Sequence, residues 1–108
     1  MLGQLRIRSA DSFASRALCL LVGKPLAADE GLLIAPCSSI HTIGMRYSID
    51  VVFLDRDARI LKICPAVRAG RMRFALGARA ALELRSGVAA AHGLAPGMRL
   101  LELAESVS

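Results

Sequence analysis

The chain opens on a strict alternation. Leu5-Arg6-Ile7-Arg8 sends every second side chain to the same side, the pattern of a strand with one wet face. The period then changes. Phe13, Ala17, Leu20 and Leu21 recur at helical spacing, with Asp11 or Ser12 placed to cap and Gly23 with Pro25 placed to end a helix near Val22. Arg16 falls at the flank of that apolar face, where its stem can cover core while its guanidinium reaches a partner. Gly31–Ala35 is a short apolar run stopped by Pro36, and Cys37–Met45 has no clean period and reads as a loop. Ile49–Leu54 is the strongest strand signal. Asp55–Ala58 is turn-like, Arg59–Cys64 returns as its hairpin partner, and Pro65 is expected to close that strand.

Further on, Ala80–Leu84 alternates again, with Ala80, Leu82 and Leu84 to one side and Ala81 and Glu83 to the other. Ser86–His92 reads as one helical unit capped by Ser86 and ended by Gly93. Ala95-Pro96-Gly97 fits a type II turn, and Met98–Leu103 reads as the last strand. About six short strands, two brief helices and no strand–helix–strand rhythm predict a mainly β fold: a compact antiparallel β-barrel or β-sandwich. Its length of 108 residues fits one domain, with a core over 5–103 and a polar tail over 104–108.

Composition narrows the class. The hydrophobic fraction is 55% and aromatics are only 4%, so the chain is not disordered and its apolar mass is mostly aliphatic. No stretch approaches the roughly 20 consecutive apolar residues of a membrane-spanning helix. No early basic region followed by an apolar run reads as a secretory signal, so a soluble, cytoplasmic protein is expected unless a leader has been removed. Cys19, Cys37 and Cys64 are widely spaced and odd in number. They form no C-x-x-C pair and no disulfide framework, in keeping with a reducing compartment, and no metal-ligand spacing emerges. No cofactor fingerprint is present.

The segments "GLLIAPCSSIHTIGM", "IDVVFLD", "LELRSG" and "GLAPG" occur in this order, and with Arg16, Asp50, Glu83 and Gly87 they resemble the family known as domain of unknown function 192. The resemblance spans about Leu5 to Leu103. It implies a compact, β-rich fold with a small helical contribution, and it implies no activity. Many members carry an aromatic F-W-M-x-N-T element before the strong strand. This chain departs from that pattern, having Ile40-His41-Thr42-Ile43-Gly44-Met45 there.

Three sets of residues could carry chemistry. Asp50 shares a strand face with Val52 and Leu54, so its carboxylate is expected to be paired or hydrogen-bonded, with Arg16 the expected partner. With Glu83 it could instead line one pocket as an acid–base pair. The Cys37–His41 segment places a thiol near an imidazole, a nucleophile and a base that lack the rest of a catalytic set. Finally, no acidic residue interrupts Arg59, Lys62, Arg68, Arg71, Arg73 and Arg79 between Asp57 and Glu83. Arg68, Arg71, Arg73 and Arg79 are thus candidate anion-binding residues. Phe74 alone offers a base-stacking ring there, which argues against nucleic acid as the partner.

The expected function is a small non-enzymatic binding or accessory domain for an anionic or small polar ligand. Its candidate site comprises Arg16, Cys37, His41, Asp50 and Glu83, beside the Cys37–Arg46 loop. The alternatives are an enzyme using Asp50 and Glu83 with His41 or Cys37, and weak nucleic-acid binding through residues 59–79. A monomer or homodimer is expected, with a small ligand or a protein as partner.

Overall fold

The computed structural model describes residues 5–9, 26–42 and 47–100. The expected first helix, with Arg16 and Cys19, lies outside these residues, as do Arg46 and residues 101–103 of the expected last strand. Seven strands are described: β1 (Arg6–Ser9), β2 (Glu30–Ile34), β3 (Ser39–His41), β4 (Ile49–Leu54), β5 (Ile60–Val67), β6 (Met72–Phe74) and β7 (Ala80–Arg85). One helical turn, α1 (Val88–Ala91), follows. The fold is mainly β. The larger sheet runs β1-β2-β7-β4-β5 and does not close on itself; β3 and β6 form a separate two-stranded sheet.

β4 lies between β7 and β5, and all six of its residues are buried. That explains why its sequence is a near-continuous apolar run rather than an alternation: both faces of the sheet are covered. One face carries Leu32, Ile34, Val51, Phe53 and Ala81. The other carries Val52, Leu54, Leu82 and Leu84, with Leu5 and Ile7 of the first strand region and Val88 and Ala89 of α1. The alternation read for residues 80–84 is therefore the real division between the two cores. Gly31 makes the second packing close: a Cβ there would lie 3.0 Å from both Leu82 Cδ1 and Leu84 Cδ2.

Several expectations are corrected. β1 and β2 pair in parallel, Arg6 opposite Glu30, so the sheet is mixed rather than wholly antiparallel. Parallel neighbours need a crossover of about a dozen residues or more, and the chain between Ser9 and Glu30 has the length for it. Pro65 does not close its strand. β5 continues to Val67 because it is an edge strand, where proline costs no ladder bond to a further neighbour. The loop expected over Cys37–Met45 contains β3, whose partner β6 lies more than thirty residues away and leaves no local sequence signal. Beyond the Ala95–Gly97 turn, the described strand pairing is the single bridge of Arg99 with Arg59.

Candidate functional site

The two carboxylates singled out in the sequence are each 1% exposed, but the sheet register separates them. Asp50 pairs with Leu84 and Val51 pairs with Glu83. Directly paired residues project to the same side of a sheet, so Asp50 faces the core containing Leu84 and α1, and Glu83 faces the opposite one. The two do not share a pocket.

Asp50 is fully engaged with backbone. Its Oδ1 accepts the N–H of Ala66 at 2.9 Å, and its Oδ2 accepts those of Gly87 and Ala89, both at 3.0 Å. The first bond fixes an irregularity in β5. Three residue steps from Cys64 to Val67 oppose two from Val51 to Ile49, and Ala66 takes a positive φ of 50°. This is a β-bulge, and the carboxylate takes up the N–H it frees from the ladder. The other two bonds satisfy amides at the start of α1. The helix cap is thus supplied by Asp50 from across the sheet and not by Ser86. Gly87 occupies the N-cap position at φ 93°, a left-handed conformation that suits glycine.

Glu83 is the opposite case. Among the described residues, neither carboxyl oxygen has a hydrogen-bond partner. Burial alone pushes its pKa up to about 8 from the ordinary 4.5, so at neutral pH it is mostly a carboxylic acid and can donate a hydrogen bond. Leu32 and Val51 flank it on the neighbouring strands. Half-buried Tyr47 stands close enough that burial and then the charge of Glu83 raise its own pKa. Tyr47, Leu26, Ser48, Arg85 and Ser86 line a cavity of about 470 Å³ at this end of the sheet. Arg85 follows Glu83 by two positions on β7, which puts a guanidinium on the same side. Tyr47 and Arg85 were missed in the sequence. The signal available was weak: the only tyrosine of the chain, and an arginine one strand-repeat past a buried acid.

The remaining candidates are dispersed. Cys37 is buried and disulfide-bonded, which corrects its reading as a free thiol, removes it as a nucleophile and withdraws the cysteine argument for a reducing compartment. His41 is half-buried on β3, opposite Met72. Arg68 and Arg71 are exposed on the turn before β6, and half-buried Arg73 donates to the Met72 carbonyl at 2.8 Å. Arg79 lines a second cavity, about 440 Å³, together with Arg56. The basic run of the sequence is therefore not one surface. Among the described residues no cluster of His, Cys, Asp or Glu side chains could hold a metal ion, and no helix is long and apolar enough to cross a membrane.

The model of one family, domain of unknown function 192 ("Uncharacterized ACR"), matches residues 2–101. The chain belongs to this family. No curated protein matches it. Two solved structures are similar. A protein of unknown function from Novosphingobium aromaticivorans DSM 12444 shares 25% identity at a TM-score of 0.73, over 86% of this chain and 71% of its own. A "putative transcription regulator" from Sinorhizobium meliloti 1021 shares 20% identity at a TM-score of 0.75, over 88% of this chain and 79% of its own. The second likeness concerns the fold alone. The family description assigns no activity, so the functional reading rests on the site.

Proposed function

We propose that this member of the domain of unknown function 192 family is a small binding domain whose ligand occupies the cavity beside Glu83. One observation carries the reading: a carboxyl group 1% exposed, with both oxygens lacking a partner among the described residues, stands two positions along β7 from Arg85, which with Tyr47 and Ser48 lines a cavity. Burying such a group without hydrogen bonds costs about 1–3 kcal/mol. A fold that needed only a core residue at this place would be more stable with leucine. A ligand that supplies the missing hydrogen bonds recovers that cost on binding. The chemistry fits a small polar molecule: Arg85 meets its anionic group, and the acid form of Glu83 donates to a carbonyl or similar acceptor.

The enzymatic reading through Asp50 and Glu83 has less support, because the register places the two carboxylates on opposite faces. For the architecture, an incomplete sandwich is favoured over a barrel: Ile40 of the small sheet joins the core on one face of the open larger sheet.

Amide-resolved NMR with a panel of small carboxylates, phosphates and amides tests the proposal. The expected result is a set of shifts centred on Tyr47, Ser48, Arg85 and Ser86. Glu83→Leu should abolish these shifts while raising thermal stability, equivalent to about 1–3 kcal/mol. If no compound perturbs these amides, or if Glu83→Leu binds as the parent does, the proposal fails.

A further inference from the structure

A different end of the molecule exposes large apolar side chains. Met72 and Phe74 of β6 are 55% and 58% exposed, Leu76 on the following turn is 90% exposed, and Leu61 of β5 is 38% exposed. Soluble folds scatter single exposed apolar residues, but a cluster around one strand and the turn that follows it is a different matter. Met72 and Phe74 pair with His41 and Ser39, so all four project from the same side of the two-stranded sheet. Leu61 joins them near the turn, its Cδ1 lying 4.0 Å from where a Cβ on Gly77 would stand.

The surroundings are cationic. Lys62 Nζ sits 5.5 Å from the centroid of the Phe74 ring and donates to the Phe74 carbonyl at 3.0 Å. Arg68 and Arg71 stand on the turn that leads into β6. That turn is held in place by buried Thr42, whose Oγ1 accepts the Arg71 N–H at 2.8 Å and whose carbonyl accepts the Gly70 N–H at 3.0 Å. Both guanidiniums are exposed and have no partner among the described residues, and no acidic residue occurs between Asp57 and Glu83 to neutralise them.

We propose that this end, formed by β6 and its flanking turns, docks peripherally on an anionic lipid surface, with Phe74 and Leu76 entering the headgroup boundary and Lys62, Arg68 and Arg71 meeting phosphates. Charge complementarity and patch size select this occupant. A stable protein–protein interface takes roughly 20–30 residues from each side, far more than this cluster offers. A second copy would bring like charges together. A bare polyanion has no use for Leu76 and Met72. A bilayer interface uses both features at once: a few inserted apolar side chains and nearby cations within a screening length.

Co-sedimentation with vesicles decides the question. The intact chain should bind phosphatidylglycerol–phosphatidylcholine vesicles at low salt, release as salt rises, and ignore pure phosphatidylcholine. Leu76→Asn, which removes apolar surface without adding charge, should lower binding roughly tenfold. Arg71→Gln should lower it roughly fivefold and flatten the salt dependence. Both positions are exposed, so unchanged thermal melting will show that the variants are folded. Absence of binding at low salt overturns the proposal. So does a Leu76→Asn protein that binds as the parent does. Equal affinity of parent and Leu76→Asn for duplex DNA, with the DNA displacing the vesicles, would make the patch a simple polyanion site and would also overturn it.

Discussion

Asp50 and Glu83 sit on adjacent, hydrogen-bonded strands and are equally hidden from water, yet they have opposite chemical situations. Asp50 receives three backbone N–H groups, from a bulge in β5 and from the start of α1. Among the described residues, Glu83 receives none. The difference comes from what each face of the sheet offers. The face beneath Asp50 presents backbone that has left regular pairing, so free amides are there to be bound. On the face beneath Glu83, the directly paired neighbours are Leu32 and Val51, whose backbones are spent in the sheet. Burial alone thus says little about a carboxylate. The supply of donors separates a carboxylate satisfied by backbone from one kept as the neutral acid by burial.

The comparison can be broken most forcefully at Asp50. Asp50→Ala should cost about 3–5 kcal/mol, measured by chemical denaturation, because it leaves three amides without their acceptor. A loss below about 1 kcal/mol would show that those amides find other partners. Asp50→Asn should fall between the two, since one amide oxygen cannot replace two carboxylate oxygens.

A pH series sharpens the other side. Glu83 has a folded-state pKa of about 8, raised above the ordinary 4.5, so between these values the native state holds a proton that the unfolded chain has released. Its contribution is therefore fully present below about pH 4.5 and is lost as pH rises through 8, by a few kcal/mol at most. Exposed Asp29 and half-buried Asp55 have lowered pKa values, and their effect runs the other way, being lost as pH falls. The difference between the parent and Glu83→Gln isolates the Glu83 term. Parallel stability curves for the two across pH 5–8 would contradict the assignment.

The smallest effect concerns the cap. Gly87→Ala should destabilise by about 1–2 kcal/mol, because alanine resists the left-handed conformation that presents the Gly87 N–H to Asp50. No neighbouring atom obstructs the added methyl, so any cost measured by thermal melting belongs to the backbone. A neutral substitution would mean that the turn relaxes and that the Gly87 bond matters little.

Much of the fold was legible along the chain because it is encoded by short periods. The residues of β4, the alternation within β7, and the turn at Ala95–Gly97 follow from apolar spacing and from glycine and proline chemistry, which act within a few positions. The misses share a different cause. β3 and β6 are three residues each and exist through their pairing with one another. β5 runs past Pro65 because it lies at an edge, and α1 borrows its cap from β4. The disulfide at Cys37 had no spacing signature either.

The candidate site shows the same boundary in its sharpest form. From the sequence alone, Asp50 sides with Val52 and Leu54 along its strand, and Glu83 sides with Ala81 along its own. Both statements hold in the structure, since alternation is a property of a single strand. Whether the Asp50 side and the Glu83 side are the same side is a question of register between strands. The pairing of Val51 with Glu83 answers it. A shift of one residue would have put the two acids face to face. Only tertiary packing fixes that parity, because it depends on where the turns and the bulge leave each strand, and through it one carboxylate is bound by backbone amides while the other, among the described residues, is left without a hydrogen-bond partner.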